Sequence, residues 1–255
     1  MLLAIDIGNT NTVFALYDED ELTESWRCKT ESARSADEYA VFLNQLFDLS
    51  STNWTDIQDI IVSSVVPDVT FHIEKFCRKY LDCAPLFVDA NCTNLIIDLD
   101  MPGEIGADRI VNAVAVTAHY QTPAIVIDFG TATTFDVIDT GGIYRGGVIA
   151  PGVRLSLEAL SRRAAKLPLI GIQKPSRLIG KNTTDAMQSG MYWGYIGLIE
   201  GIIEKIEQEM GQDAFVIATG GLAPLYAQST DVIHAVDEHL ILKGLLQIYK
   251  DNKNT

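Results

Sequence analysis

Basic residues are scarce in this chain. Of 255 residues only 19 are Lys or Arg, against 34 Asp or Glu, so the net charge is −15. Such a chain lacks the positive field that nucleic acid or an anionic membrane demands of its partner. A small anionic substrate stays open to it, because a pocket can be locally positive. Cysteine is sparse too. Cys28, Cys77, Cys83 and Cys92 form no CxxC pair, and no His lies at ligand spacing to them. That argues against structural zinc and for reduced thiols in the cytoplasm. No stretch approaches the roughly 20 apolar residues of a membrane span. The first six residues carry no basic segment and reach a charge at Asp6, unlike a signal peptide. GxxxxGK[ST], a strand-to-helix GxGxxG, HRDLxxxxN and GxSxG are all missing. P-loop, dinucleotide-fold, protein-kinase and α/β-hydrolase chemistry are thereby excluded. What is present, 47% apolar and 21% charged residues, predicts a soluble globular protein.

Three short apolar runs, 2–7, 12–17 and 22–28, predict an antiparallel meander. Residues 36–49 follow a helical period through Tyr39, Phe42, Leu43, Leu46 and Phe47. A strand at 60–66, a helix at 69–81 and a strand at 85–88 complete a βββαβαβ order, and 105–120 reads as the next helix. The pattern then starts over. Strands are expected at 124–127, 133–138 and 142–149, and a helix from Pro151-Gly152 to about residue 165. A Pro/Gly/Lys-rich loop spans 167–181. A long helix at 183–209, a strand at 215–219 and a helix at 239–250 follow, with a frayed tail at 251–255.

An internal repeat underlies this restart. Asp6-Ile7-Gly8-Asn9-Thr10-Asn11-Thr12 returns as Asp128-Phe129-Gly130-Thr131-Ala132-Thr133-Thr134, with the Asp, the Gly and the last Thr aligned without gaps. The expectation is an α/β protein of two duplicated βββαβα-type halves, 1–117 and 118–255, with a ligand cleft between them. Asp-x-Gly-Asn/Thr at a strand end suits phosphate. Glycine lets backbone N–H groups approach an anion, Thr and Asn add neutral donors, and the carboxylate can hold a cation that offsets phosphate charge. Hairpin turns also use Asp, Gly and Asn for purely conformational reasons; two copies on equivalent hairpins favour the functional reading. Gly146-Gly147-x-x-Ala150-Pro151-Gly152 reads either as a turn with a helix start or as clearance for a ligand. Ala218-Thr219-Gly220-Gly221 offers the approach of a flat ring. Asp108-Arg109 at a helix start reads, in isolation, as a helix-dipole Asp with a solvated Arg. Its sharper reading is a base beside a carboxylate-binding fork.

Together these motifs resemble type III pantothenate kinases, of the acetate and sugar kinase/Hsc70/actin superfamily. The resemblance runs through Asp6–Thr10, the Pro102-Gly103-Glu104-Ile105-Gly106-Ala107-Asp108-Arg109 element, Asp128–Ala132, the glycine-rich junction, Gly180-Lys181-Asn182-Thr183, Gln188-Ser189-Gly190 and Ala218–Gly221. It implies a duplicated actin-like (ribonuclease H-like) fold and ATP-dependent phosphorylation of pantothenate in coenzyme A synthesis. It implies a first phosphate loop over Asp6, Ile7, Gly8, Asn9, Thr10, Asn11, Thr12 and Val13, and an ATP contact at Thr131. Pantothenate contacts fall at Gly106, Ala107, Asp108, Arg109 and Thr183, with Asp108 as base, and Asp128 is tied to a monovalent cation. It further implies Mg²⁺, stimulation by K⁺ or NH₄⁺, and a homodimer; the acidic balance, the lack of long apolar runs and the reduced thiols add a cytoplasmic setting with no nucleic-acid or membrane partner. One position departs: where such proteins commonly carry a pocket-lining Tyr, three residues before Pro102, this chain has Leu99. Leu99 favours a rival reading, a non-enzymatic ATP-binding regulator on the same fold. A kinase of another small acceptor is a third.

Overall fold

The computed structural model describes residues 1–50, 52–164 and 167–253. Two compact units are present. The first holds residues 1–95, 100–118 and 240–255, and the second holds 96–99 and 119–239.

In the first unit β1 (Leu2–Ile7), β2 (Asn11–Asp18) and β3 (Glu21–Lys29) form the expected meander, and β4 (Asp59–Ser64) and β5 (Leu86–Phe87) extend it beyond β1. The order is β3-β2-β1-β4-β5, antiparallel on the β2 side and parallel on the β4 side. Strand side chains alternate between faces. Leu3, Ile5 and Ile7 of β1 join Phe14 and Val62 on one face, packed against α1 (Ala36–Ser50) and α2 (Pro67–Tyr80). Burying each such side chain fully contributes roughly 1.5–3 kcal/mol. Local signals set the helix starts. Ser35 and Glu38 form a reciprocal capping box at α1, and Pro67 opens α2, where its missing N–H costs nothing. Trp26, Phe47, Trp54 and Phe76 make a chain of ring contacts with centroids 5.1–5.8 Å apart, within the favourable range for aromatic pairs.

The remaining helices of this unit are α3 (Ala107–His119) and, far along the chain, the last helix, Leu240–Lys253. The latter packs on β1 and β4. A Cβ on its Gly244 would overlap the Val111 carbonyl of α3, so a glycine is required where the two helices meet. This helix therefore belongs with the first sheet, not with the 118–255 half, and it continues to Lys253 where fraying was expected. Asn254 and Thr255 lie outside the described residues.

The second unit repeats the topology. β6 (Ala124–Phe129), β7 (Ala132–Ile138) and β8 (Tyr144–Pro151) form a meander, and β9 (Phe215–Thr219) and β10 (Ala235–Val236) lie parallel beyond β6. The order β8-β7-β6-β9-β10 is that of the first sheet strand for strand. α4 (Val153–Arg163), α5 (Thr183–Met210) and the short α6 (Ala223–Ala227) cover one face, and the last helix above is α7. α4 ends at Arg163; the expected end near Ala165 lies outside the described residues. α5 starts where Asn182 Oδ1 accepts the Asp185 N–H at 2.9 Å. Its Tyr192, Ile196, Ile199 and Ile203 are buried in this unit's own core.

Candidate active site

Both repeat loops sit at the end of the central strand of their sheet, and the ladder registers make them comparable. Asp6 is the penultimate residue of β1, opposite Val13 and beside Ser63. Asp128 is the penultimate residue of β6, opposite Thr134 and beside Thr219. The loops differ by one residue. Ile7 pairs with Thr12, but Phe129 pairs with Thr133. The structural partner of Thr12 is thus Thr133, not Thr134, and the gapless alignment is corrected by one position. Both Thr12 and Thr133 are fully buried.

In the first loop the tip, Asn9, Thr10 and Asn11, is exposed, while the side chains of Ile7 and Thr12 are fully buried. Ile7 and Thr12 shape the turn from below, and Val13 is half-buried. The Gly8 N–H donates to Asn11 O at 3.0 Å, so it is engaged within the turn. Thr30 clamps the loop: its hydroxyl donates to Gly8 O at 2.7 Å and stands 3.0 Å from that of Thr12.

In the second loop Gly130 and Thr131 are exposed. Two distant glycines close on it. A Cβ on Gly152 would overlap the Thr131 carbonyl oxygen, and one on Gly220 would lie 2.8 Å from both Asp128 Oδ1 and Phe129 O. Gly220 also has φ +85°, which L side chains rarely adopt. These glycines let two further backbone segments crowd the Asp-x-Gly-Thr turn. At Gly221, by contrast, a Cβ would meet nothing within 4 Å.

The Gly-Ala-Asp-Arg element forms the first turn of α3. The Arg109 and Ile110 N–H groups donate to Gly106 O at 3.1 and 3.2 Å. The Asp108 carboxylate folds back so that Oδ1 accepts the Arg109 N–H at 2.8 Å. A Cβ on Gly106 would stand 2.6 Å from that same oxygen, so glycine here makes space for the carboxylate. Burial pushes the Asp108 carboxyl above its ordinary range, and the Arg109 N–H and guanidinium only partly offset this. Desolvation of this kind is not displayed by the sequence. Thr183, at the start of α5, is exposed. Behind it Gly180 touches the Ala186 backbone so closely that a Cβ would overlap it.

A family model described as type III pantothenate kinase matches residues 2–205. The chain belongs to the type III pantothenate kinase family. Type III pantothenate kinases of Paramagnetospirillum magneticum and Rhodospirillum rubrum are 54% and 52% identical to it, over 254 and 255 residues. These matches cover 99% of this chain and 98% and 99% of the relatives. Two solved structures share the fold. One is described as a putative Baf family transcriptional activator from Campylobacter jejuni (TM-score 0.63, 22% identity, 99% of this chain and 100% of that one). The other is an activator of 2-hydroxyisocaproyl-CoA dehydratase from Clostridium difficile with bound ADPNP (TM-score 0.58, 12% identity, 99% and 96%). The duplicated α/β architecture read from the repeat is therefore that of a type III pantothenate kinase.

Each loop by itself has chemistry that suits phosphate: exposed hydroxyl and amide side chains ring the first loop tip, glycines leave backbone room at the second, and a carboxylate stands one residue before the end of each central strand. The hydroxyls of Ser63 and Thr133, one near each loop, are buried without a hydrogen-bond partner. Among the described residues no group of three or more His, Cys, Asp or Glu is placed to hold a metal ion. Among them, too, no helix is long and apolar enough to cross a membrane.

Proposed function

We propose that this chain transfers the γ-phosphoryl group of ATP to the primary hydroxyl of pantothenate, giving 4'-phosphopantothenate and ADP, the first step of coenzyme A biosynthesis. The observation that carries the reading is the first turn of α3. There Gly106 makes room for a half-buried carboxylate next to a guanidinium. Asp108 accepts the hydroxyl proton as the hydroxyl oxygen bonds to phosphorus and the bond to ADP breaks. In a loose phosphoryl transfer the proton leaves late, and a base with a raised pKa is the better acceptor. Arg109 grips the pantothenate carboxylate with two parallel N–H bonds, backed by Gly106 and Ala107. Asn9, Thr10 and Asn11 donate to phosphate oxygens over a turn built on Asp6, Ile7, Gly8, Thr12 and Val13, and Thr131 contacts ATP. Asp128 is assigned to a monovalent cation, K⁺ or NH₄⁺. A bound Mg²⁺ supplies charge neutralisation to the phosphates.

The reading includes a cytoplasmic homodimer in which Thr183 reaches pantothenate. Four free cysteines suit a reducing compartment. The outer face of α5 carries Gly190, Gly194 and Gly197, all exposed and with nothing near the Cβ position. Each costs the helix about 1 kcal/mol relative to Ala, and close approach by a second copy would explain them. Ile196 on the same helix is no part of such a contact, because its own unit's core buries it.

Leu99 is the feature that favours an ATP-binding regulator instead. An ATP-consumption assay over a small acceptor panel, pantothenate with an acid and a sugar, separates the readings. Consumption that depends on pantothenate supports the kinase, and consumption with another acceptor, or with none, overturns it.

A further inference from the structure

Residues 96–99 stand apart from the chain on either side of them. Leu95 and Asp100 belong to the first unit, while these four residues belong to the second. They lie on the outer edge of β8. Ile97 bridges Tyr144 in parallel. The Tyr144 N–H donates to Ile96 O, and the Asp98 N–H donates to Tyr144 O, each at 2.9 Å. Side chains reinforce this short pairing. Arg145 forks between Asp98 and Asp139, and Asp139 is held in turn by the N–H groups of Gly141 and Ile143 at 2.8 and 3.0 Å. Leu99 seats its Cδ2 on Gly146, 3.2 Å from where a Cβ would stand, and φ of +98° there favours glycine as well. Tyr144 is fully buried and donates its hydroxyl to Asp136 at 2.7 Å. Two backbone bonds alone hold little; with the ion pairs and the Leu99 contact they make a strap.

Leu99 precedes Asp108 by nine residues. Asp100, Met101, Pro102, Gly103 and Glu104 between them are all exposed. Their single short turn closes with the Glu104 N–H on Met101 O at 3.1 Å. Such a loop takes its shape from its two ends. One end is the Gly106 turn of α3, and the other is the strap.

We propose that the strap, with Leu99 on Gly146 and Asp98 on Arg145, is a positioning element that holds the loop leading to Asp108 and Arg109 in its acceptor-binding form. The proposal rests on the acceptor reading of Asp108 and Arg109 given above. A binding-competent form that is only partly populated weakens apparent affinity by that fraction. Loosening the strap therefore acts on the acceptor and leaves ATP alone.

The test measures kcat, both Michaelis constants and the thermal midpoint for Leu99→Ala, Arg145→Gln, Leu99→Met and Arg109→Lys. Arg145 already serves two carboxylates, so its variant reports on the strap independently of any direct contact Leu99 makes with substrate. Leu99→Ala and Arg145→Gln should each raise the pantothenate KM about 3- to 10-fold, as expected if the competent fraction falls to between about a third and a tenth. The KM for ATP and the thermal midpoint should stay near wild type, and Leu99→Met should restore the pantothenate KM. If Arg109→Lys raises that KM while the strap variants do not, the strap proposal is overturned and the acceptor reading stands. If both KM values rise together with a lowered midpoint, the strap is merely structural and the proposal fails. An unchanged pantothenate KM in Arg109→Lys overturns the acceptor reading, and the strap proposal with it.

Discussion

Replacing Asp108 with Asn removes the proton acceptor and little else. The amide has the carboxylate's shape, so it fits the space that Gly106 leaves, and its oxygen can still accept the Arg109 N–H that Oδ1 accepts at 2.8 Å. Losing a general base costs roughly 10²–10⁴ in turnover, or about 3–5 kcal/mol of transition-state stabilisation. The KM for ATP should not move. Stability should change the other way. The folded pKa of Asp108 is raised above its unfolded value, mainly by burial. Its stabilising contribution is then complete below the unfolded pKa, about 3.9, and lost as pH rises through the folded pKa. At neutral pH the wild type carries a buried charge that the amide lacks. Urea midpoints at pH 7 should put Asp108→Asn at or above wild type, with a smaller advantage near pH 4. The acid limb of the wild-type kcat/KM profile for pantothenate should lie above the ordinary carboxylate range. Near wild-type turnover in Asp108→Asn, or a variant that loses ATP binding in step with turnover, would refute the reasoning.

Gly220→Ala forces a left-handed backbone on a residue with a Cβ, at about 1–2 kcal/mol, and drives that Cβ toward Asp128 Oδ1 and Phe129 O. Its thermal midpoint should fall by several degrees and the ATP KM should rise; unchanged values of both would remove Gly220 from the nucleotide loop. Activity should be higher in potassium than in sodium at matched ionic strength, with Asp128→Asn abolishing the difference, and equal rates in the two salts for wild type would sink the cation assignment. For assembly, Gly194→Glu should yield an inactive monomer in light scattering that keeps its circular dichroism, whereas Ile196→Glu, at a position 5% exposed inside the core, should unfold the second unit. A fully active 28 kDa monomer of the wild-type chain would contradict the dimer.

Much of this architecture was legible because each half announces itself by pattern. Continuous apolar runs in β1 and β6 and helical periods in α1 and α5 are local properties of the chain, and the Asp-x-Gly repeat marks the duplication. The offset between the two loops was hidden by the Thr133-Thr134 pair. Either threonine satisfies an alignment, and only the pairing of Phe129 with Thr133 decides. β10 has two residues and α6 has five, too few for any period to register. Periodicity shows that α7 is a helix with an apolar face but not which sheet covers it. Gly244 inside that helix was the available signal, since such a glycine often marks close packing. In the site, residue types were readable from the chain. The raised pKa of Asp108 and the crowding of Gly152 and Gly220 onto the second loop come from segments distant in sequence.

The most direct measurement is the identity of the product. Incubation of the purified chain with ATP, Mg²⁺, K⁺ and pantothenate, followed by phosphorus and proton NMR, should show a phosphate monoester on the primary hydroxyl of pantothenate, formed in a one-to-one ratio with ADP. ADP appearing with free phosphate and unmodified pantothenate would contradict the account.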